Sequence, residues 1–147
     1  MSDYPHITVA TVVEKDGKFL MVEERVAGAM VYNQPAGHLE LGETLLQAAL
    51  RETLEETRWE VKLNGFIGIY HFTSAANGIT YVRHCFSALA VTEHLNAQLD
   101  PDIQQALWLG LDQIKAAENR LRSPLVLTAI DDYLNKPLYP LSLLTCC

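Results

Sequence analysis

Between Gly37 and Trp59 the chain reads GHLELGETLLQAALRETLEETRW, a glycine-containing approach followed by a helix-forming run that carries Glu52, Glu55 and Glu56. The pattern predicts one helix from about Thr44 to Thr57. On a wheel advancing about 100° per residue, Leu46, Leu50, Thr53 and Leu54 make a mostly apolar arc, and the three carboxylates share the opposite one. They are expected to project together, away from the core. Like charges three and four residues apart destabilise a helix, and this helix has no lysine to offset them, with Arg51 as its internal cation. A solvated acidic face is the plain reading of such a helix. The preceding QPAGHLELGE weighs against it, because two glycines and a proline bend the backbone tightly beside the acids. Carboxylate and carbonyl oxygens gathered in this way are what Mg²⁺ prefers, so a metal-binding face is expected.

The whole chain narrows what such a face can serve. With 147 residues, 49% of them hydrophobic, it is expected to form a single domain over 1–147 that buries a core without disulfides. A net charge of −7 and the lack of a basic run argue against long nucleic acid. An acidic protein can still bind a small phosphorylated substrate, such as a nucleotide, if divalent cations bridge carboxylate to phosphate. MSDYPHITVA has no basic region leading into a long apolar one, and no segment approaches roughly eighteen uninterrupted apolar residues. No membrane partner and a cytoplasmic home are expected, as a monomer or homodimer. Cys85, Cys146 and Cys147 form neither a CxxC pair nor a disulfide framework and read as free thiols.

Along the chain, HITVATVVE (His6 to Glu14) and FLMVEE (Phe19 to Glu24) read as strands of a hairpin around KDGK. An irregular stretch with Asn33, Pro35 and Gly37 leads to the acidic helix. Two long strands follow, Val61 to Thr73 and Ile79 to Thr92, separated by SAANG. LDPDIQQ reads as a loop before a short strand at LWL, and LDQIKAAE and SPLVLTAIDDYL read as helices, the latter with Ser123 as N-cap and Pro124 in first position. Hairpins before a helix predict a mixed β-sheet with helices on its faces rather than a regular βαβ array.

Gly37, Glu43 and the run Arg51-Glu52-x-x-Glu55-Glu56 together resemble the Nudix box of hydrolases that act on nucleoside diphosphates linked to another group, six positions over twenty residues. The resemblance implies an α/β fold of the Nudix type, an α/β/α sandwich. It also implies that Glu52, Glu55 and Glu56 hold Mg²⁺ or Mn²⁺, that the Gly37 carbonyl adds a ligand, and that Glu43 with Arg51 forms a structural ion pair between loop and helix. Three positions depart from the pattern: Thr53 and Trp59 replace aliphatic residues, and Arg58 replaces the glycine that ends the helix. Thr53 can bond the carbonyl one turn back, and Arg58 would have to adopt a left-handed conformation or end the helix differently. NQPAGHLE, LDPDI before LWL, and LRSPLV resemble the bacterial phosphatase branch of the family. That branch hydrolyses nucleoside tri- and diphosphates and hydroxymethylpyrimidine pyrophosphate.

Hydrolysis of a pyrophosphate requires its charge neutralised, a water deprotonated and the departing phosphate stabilised. The base could be Glu52, Glu56 or an acid from a loop. Asp100 and Asp102 are the loop acids, with Asp102, six residues before Trp108, set beside the glutamates as a catalytic candidate; a turn beside Pro101 is its plain reading. His38 and Arg122 are candidate phosphate contacts and Gln34 a candidate reader of a base edge, against ordinary surface or loop roles for each. Tyr70, Phe72 and Tyr81 could stack on a base but occupy alternate strand positions typical of core. Two functions remain, a Mg²⁺-dependent hydrolase and a regulator that retains the fold to bind a nucleotide without turnover. The intact set of acids favours the hydrolase.

Overall fold

The computed structural model describes residues 4–147. Its elements run β1 (His6–Lys15), β2 (Lys18–Val26), β3 (Ala29–Asn33), β4 (Ala36–His38), α1 (Leu45–Thr57), β5 (Trp59–Thr73), β6 (Thr80–Glu93), β7 (Ile103–Gly110), α2 (Leu111–Ala116) and α3 (Leu125–Asn135), with short 3-10 turns at Glu118–Arg120 and Leu141–Leu143. β1 is buried without interruption from Thr8 to Val13, the pattern of a strand covered on both faces. Asp16 and Gly17 both have positive φ, 52° and 77°, the two-residue turn whose twist suits a tight hairpin.

The sheet order is β3-β2-β1-β6-β5, with β4 added to β1 and β7 to β2. β1 and β6 are parallel and the other pairs antiparallel, giving the expected mixed sheet. β1 stays beside β2 only at Glu14 and Lys15; farther back its edge is taken by β4, at Thr8 to Ala10. β2 in turn pairs with β3 from Val22 to Val26. The two strands therefore splay apart, and the β3–β4 link crosses the gap, with the Thr11 N–H donating to the Pro35 carbonyl at 3.0 Å.

Side chains alternate across β1 into two cores. Val9 joins Phe66, Phe86, Ala48 and Ala49 beneath α1. Ala10 and Val12 join Met21, Ile67, Ile114, Val126 and Ile130 beneath α2 and α3. Helices thus cover both faces of the sheet in an α/β/α sandwich. Among the described residues, no helix is long and apolar enough to cross a membrane.

Three local expectations change. The stretch around Asn33 and Gly37 is not irregular but holds β3 and β4. Its hairpin turns at Ala27 and Gly28, φ 50° and 81°, and alanine has no intrinsic preference for that conformation that could announce it. IQQ belongs to β7, drawn into the sheet by β2 rather than by its own polar sequence. The wheel of α1 is rotated: Ala48, Ala49, Thr53, Glu56 and Thr57 are buried, whereas Leu50 and Leu54 are each 39% exposed. Small side chains let the helix approach the sheet closely, so Ala and Thr face it and the larger leucines lie at the margin. Glu56 consequently points inward, not away from the core. At α3 the Ser123 Oγ accepts the Leu125 N–H at 3.2 Å, and Pro124 already has helical angles, φ −59° and ψ −22°.

Candidate active site

α1 starts at a capping box, in which the Thr44 Oγ1 accepts the Gln47 N–H at 3.1 Å and the Gln47 Oε1 accepts the Thr44 N–H at 2.9 Å. This fixes the helix against the loop that Arg51 then ties down. The Arg51 guanidinium donates through Nε and Nη2 to both oxygens of Glu43, at 2.9 and 2.6 Å. Nη1 reaches Glu52 at 2.7 Å and Glu55 at 3.2 Å, and Nη2 also donates to the His38 carbonyl at 3.0 Å. One planar fork therefore links loop, strand β4 and two box carboxylates.

Gly37 has no positive φ and lies in an extended strand. Its glycine answers a different need: a Cβ there would fall on the carboxylate of Glu52. Glu52, Glu55 and Asp100 each offer an oxygen within 4.8 Å of the others. Asp100 reaches this group because its backbone N–H donates to the Glu55 carbonyl at 3.1 Å. Glu56 lies deeper, 7% exposed, with Oε1 accepting the Ala36 N–H at 2.8 Å. Burial pushes its carboxyl up to about 9, with Glu24, Glu52 and Asp100 adding to the rise and the Ala36 N–H opposing it. Burial likewise raises Glu52, against the pull of Arg51.

Glu52, Glu56 and Asp100 face a cavity of about 600 Å³ at the splay between β1 and β2. Its lining also includes Arg25, Arg83, Arg122 and Glu24, with Phe72 from β5 and Tyr81 from β6. Carboxylates and guanidiniums lining one cavity suit a ligand that is anionic and metal-bridged at once. Residues 4–128 match the family model of the NUDIX domain. The chain belongs to the Nudix family.

Its relatives agree. The chain is 41% identical to Phosphatase NudJ of Escherichia coli strain K12 over 141 residues, covering 95% of this chain and 90% of that protein. The same figures hold for Phosphatase NudJ of Shigella flexneri. A NUDIX hydrolase structure from Nitrosomonas europaea superposes with a TM-score of 0.96 at 44% identity, covering 98% of both chains. The protein is thus a Nudix hydrolase.

The three departures from the Nudix pattern have local solutions. The Thr53 hydroxyl donates to the Ala49 carbonyl at 2.7 Å and lies 3.1 Å from the Thr11 hydroxyl, so no orphan polar group is buried. Arg58 takes the left-handed conformation, φ 66°, with its N–H on the Leu54 carbonyl. Trp59 stacks edge-on against Trp108, ring centroids 5.6 Å apart.

The candidate substrate residues separate. Arg122 and His38 line the cavity; Arg122 is 3.7 Å from Glu24, and the His38 ring meets His6 with nitrogens 2.9 Å apart. Burial, with the charge of His6, holds His38 below the usual imidazole range. Gln34 is a correction: it is 1% exposed and its Nε2 donates to the Val126 carbonyl at 2.7 Å, so it braces the β3–β4 link against α3 instead of reading a base. Asp102 lines the cavity but is exposed, and Asp100 is the loop acid whose oxygen gathers with Glu52 and Glu55. Sequence reasoning missed Arg83 and Glu24. The signal for Arg83 was a lone cation in the apolar strand YVRHCFSALAV.

Proposed function

We propose that this Nudix hydrolase is a Mg²⁺- or Mn²⁺-dependent phosphatase that releases orthophosphate from nucleoside tri- and diphosphates and related small pyrophosphates such as hydroxymethylpyrimidine pyrophosphate. The observation that carries this reading is a cavity lined both by gathered, partly buried carboxylates and by arginines. The likeness to Phosphatase NudJ supports the phosphatase branch.

The donor set suits a hard divalent cation, since it offers carboxylate oxygens and no thiolate or imidazole in the group. Glu56 makes the same demand: a carboxylate so deeply placed ionises at neutral pH only beside a compensating positive charge. Glu52, Glu55 and Glu56 with the Gly37 carbonyl would hold the cation, and Asp100 adjoins them. When bound, it supplies charge neutralisation and polarisation of the phosphoryl group.

The chain's own residues do the rest. Arg51 and Glu43 keep Glu52 and Glu55 in register. Arg122, His38 and the cavity wall orient the phosphate chain. Water attacks the terminal phosphorus, the bridging P–O bond breaks, the diphosphate departs with that oxygen, and the water's proton passes to a carboxylate oxygen. Glu52, Glu56 and Asp102 remain the acids for that proton.

A time course of triphosphate digestion with Mg²⁺, resolved by chromatography, tests the reading. Diphosphate should appear before monophosphate, orthophosphate should accompany each step, and a chelator should abolish both. Monophosphate with equimolar pyrophosphate from the outset rejects the phosphatase assignment, and no turnover of any nucleotide or of hydroxymethylpyrimidine pyrophosphate rejects the substrate class.

A further inference from the structure

Arg83 lies on β6, opposite Thr8 of β1 and Tyr70 of β5, and is 6% exposed. Its Nη2 donates to the Asn33 Oδ1 at 3.0 Å. Among the described residues this is the guanidinium's one hydrogen bond, and no carboxylate lies within salt-bridge distance of it. The contrast with the other site arginines is sharp. Arg51 reaches several carboxylates and Arg122 faces Glu24. Glu24 is itself engaged, because its Oε1 also accepts the Asn33 Nδ2 at 3.4 Å.

Glu24 attracts Arg83 only through space, across Asn33, and a buried charge whose direct partner is neutral is costly unless an anion completes it. Arg83 lines the cavity, so the anion can come from the ligand. Asn33, held between Glu24 and Arg83, sets the plane of the fork, and a guanidinium fork fits two oxygens of a phosphoryl group. Arg83 enters the cavity from β6, whereas Glu52 and Glu56 enter it from α1, so a chain of linked phosphoryl groups can meet both at once.

Resting on the reading of this cavity as a pyrophosphate site, we propose that Arg83, oriented by Asn33, binds the phosphoryl group next to the one attacked and so sets the register of the phosphate chain. Substrates with two or more linked phosphoryl groups satisfy both Arg83 and the acids of α1. A monophosphate satisfies one.

The test compares wild type with Arg83→Gln and Arg83→Lys, each first checked for folding by circular dichroism. Calorimetry in Mg²⁺ measures binding of methylenediphosphonate, which carries two phosphoryl groups across a bond that water does not cleave, and of orthophosphate, which carries one. Wild type should prefer the diphosphonate, and Arg83→Gln should weaken it about tenfold or more while leaving orthophosphate within about twofold. KM for a nucleoside diphosphate should rise by a similar factor with kcat nearly unchanged. If the glutamine variant does not fold, Arg83→Lys carries the same comparison, with a loss of about threefold or more because charge remains and the fork is gone. No preference in wild type, no loss in the folded variant, or equal loss for both ligands overturns the assignment. Binding of the diphosphonate that depends on Arg83, in a protein that turns over no nucleotide, would reject the hydrolytic reading and leave Arg83 in place.

Discussion

Glu56 and Arg51 have opposite duties within the same helix. Glu56 is a buried acid whose ionised form lacks a protein cation, so Glu56→Gln removes a charge and keeps an oxygen for the Ala36 N–H. We expect kcat/KM to fall about 100-fold or more with the melting temperature unchanged or raised; near-normal activity in the folded variant at saturating Mg²⁺ would remove Glu56 from the metal site. Arg51 is the shared cation of Glu43, Glu52 and Glu55. Its loss leaves three carboxylates facing one another, partly screened by water. Arg51→Ala should therefore lose activity and about 1–3 kcal/mol of stability together, read from urea unfolding. An unchanged unfolding midpoint would reduce Arg51 to a surface charge.

At the scale of elements, α1 is placed by its small residues and stopped by a strained one. Ala48, Ala49 and Thr53 sit against the sheet, which brings Glu52 over Gly37 and Glu56 onto the Ala36 N–H. Arg58 then turns the chain into β5 in a conformation that glycine adopts without steric cost. Its carbonyl accepts the His94 N–H at 2.8 Å, a bond between backbones that any residue there can keep. Arg58→Gly should raise stability by about 0.5–1 kcal/mol and leave activity alone, because the change lies beyond the proposed ligands. A loss of stability in equilibrium unfolding would show that the arginine side chain contributes more than its backbone costs.

For the whole molecule, the buried acids link stability to pH and to cation. The Glu56 carboxyl stands near 9 in the fold against an ordinary value of 4.5, so between those values the folded chain keeps a proton that the unfolded chain has lost. Its stabilising contribution is complete below 4.5 and is lost as pH rises through about 9. In chelator, the melting temperature should fall across that window; Mg²⁺ should flatten the fall by favouring the ionised acid, and Glu56→Gln should flatten it without Mg²⁺. A chelated wild type and a glutamine variant with the same profile would refute the linkage. Much of this architecture was legible in the chain itself. A run of β-branched residues and the Asp16-Gly17 turn specify the first hairpin, and periodicity with the Thr44 cap specifies α1. The box residues carry the family and hence the sandwich. These are local signals, because each depends on neighbours within a few residues. What depended on distant partners was not legible. β3 and β4 exist because β2 and β1 offer them edges, and Glu56 is buried because close packing on the sheet favours alanine over leucine on the inner face of α1. Asp100 joins the acids through the Glu55 carbonyl, and Arg83 meets Asn33 across fifty positions of sequence. Local preference determines which elements form, and only close packing decides which of their faces, and therefore which charges, meet.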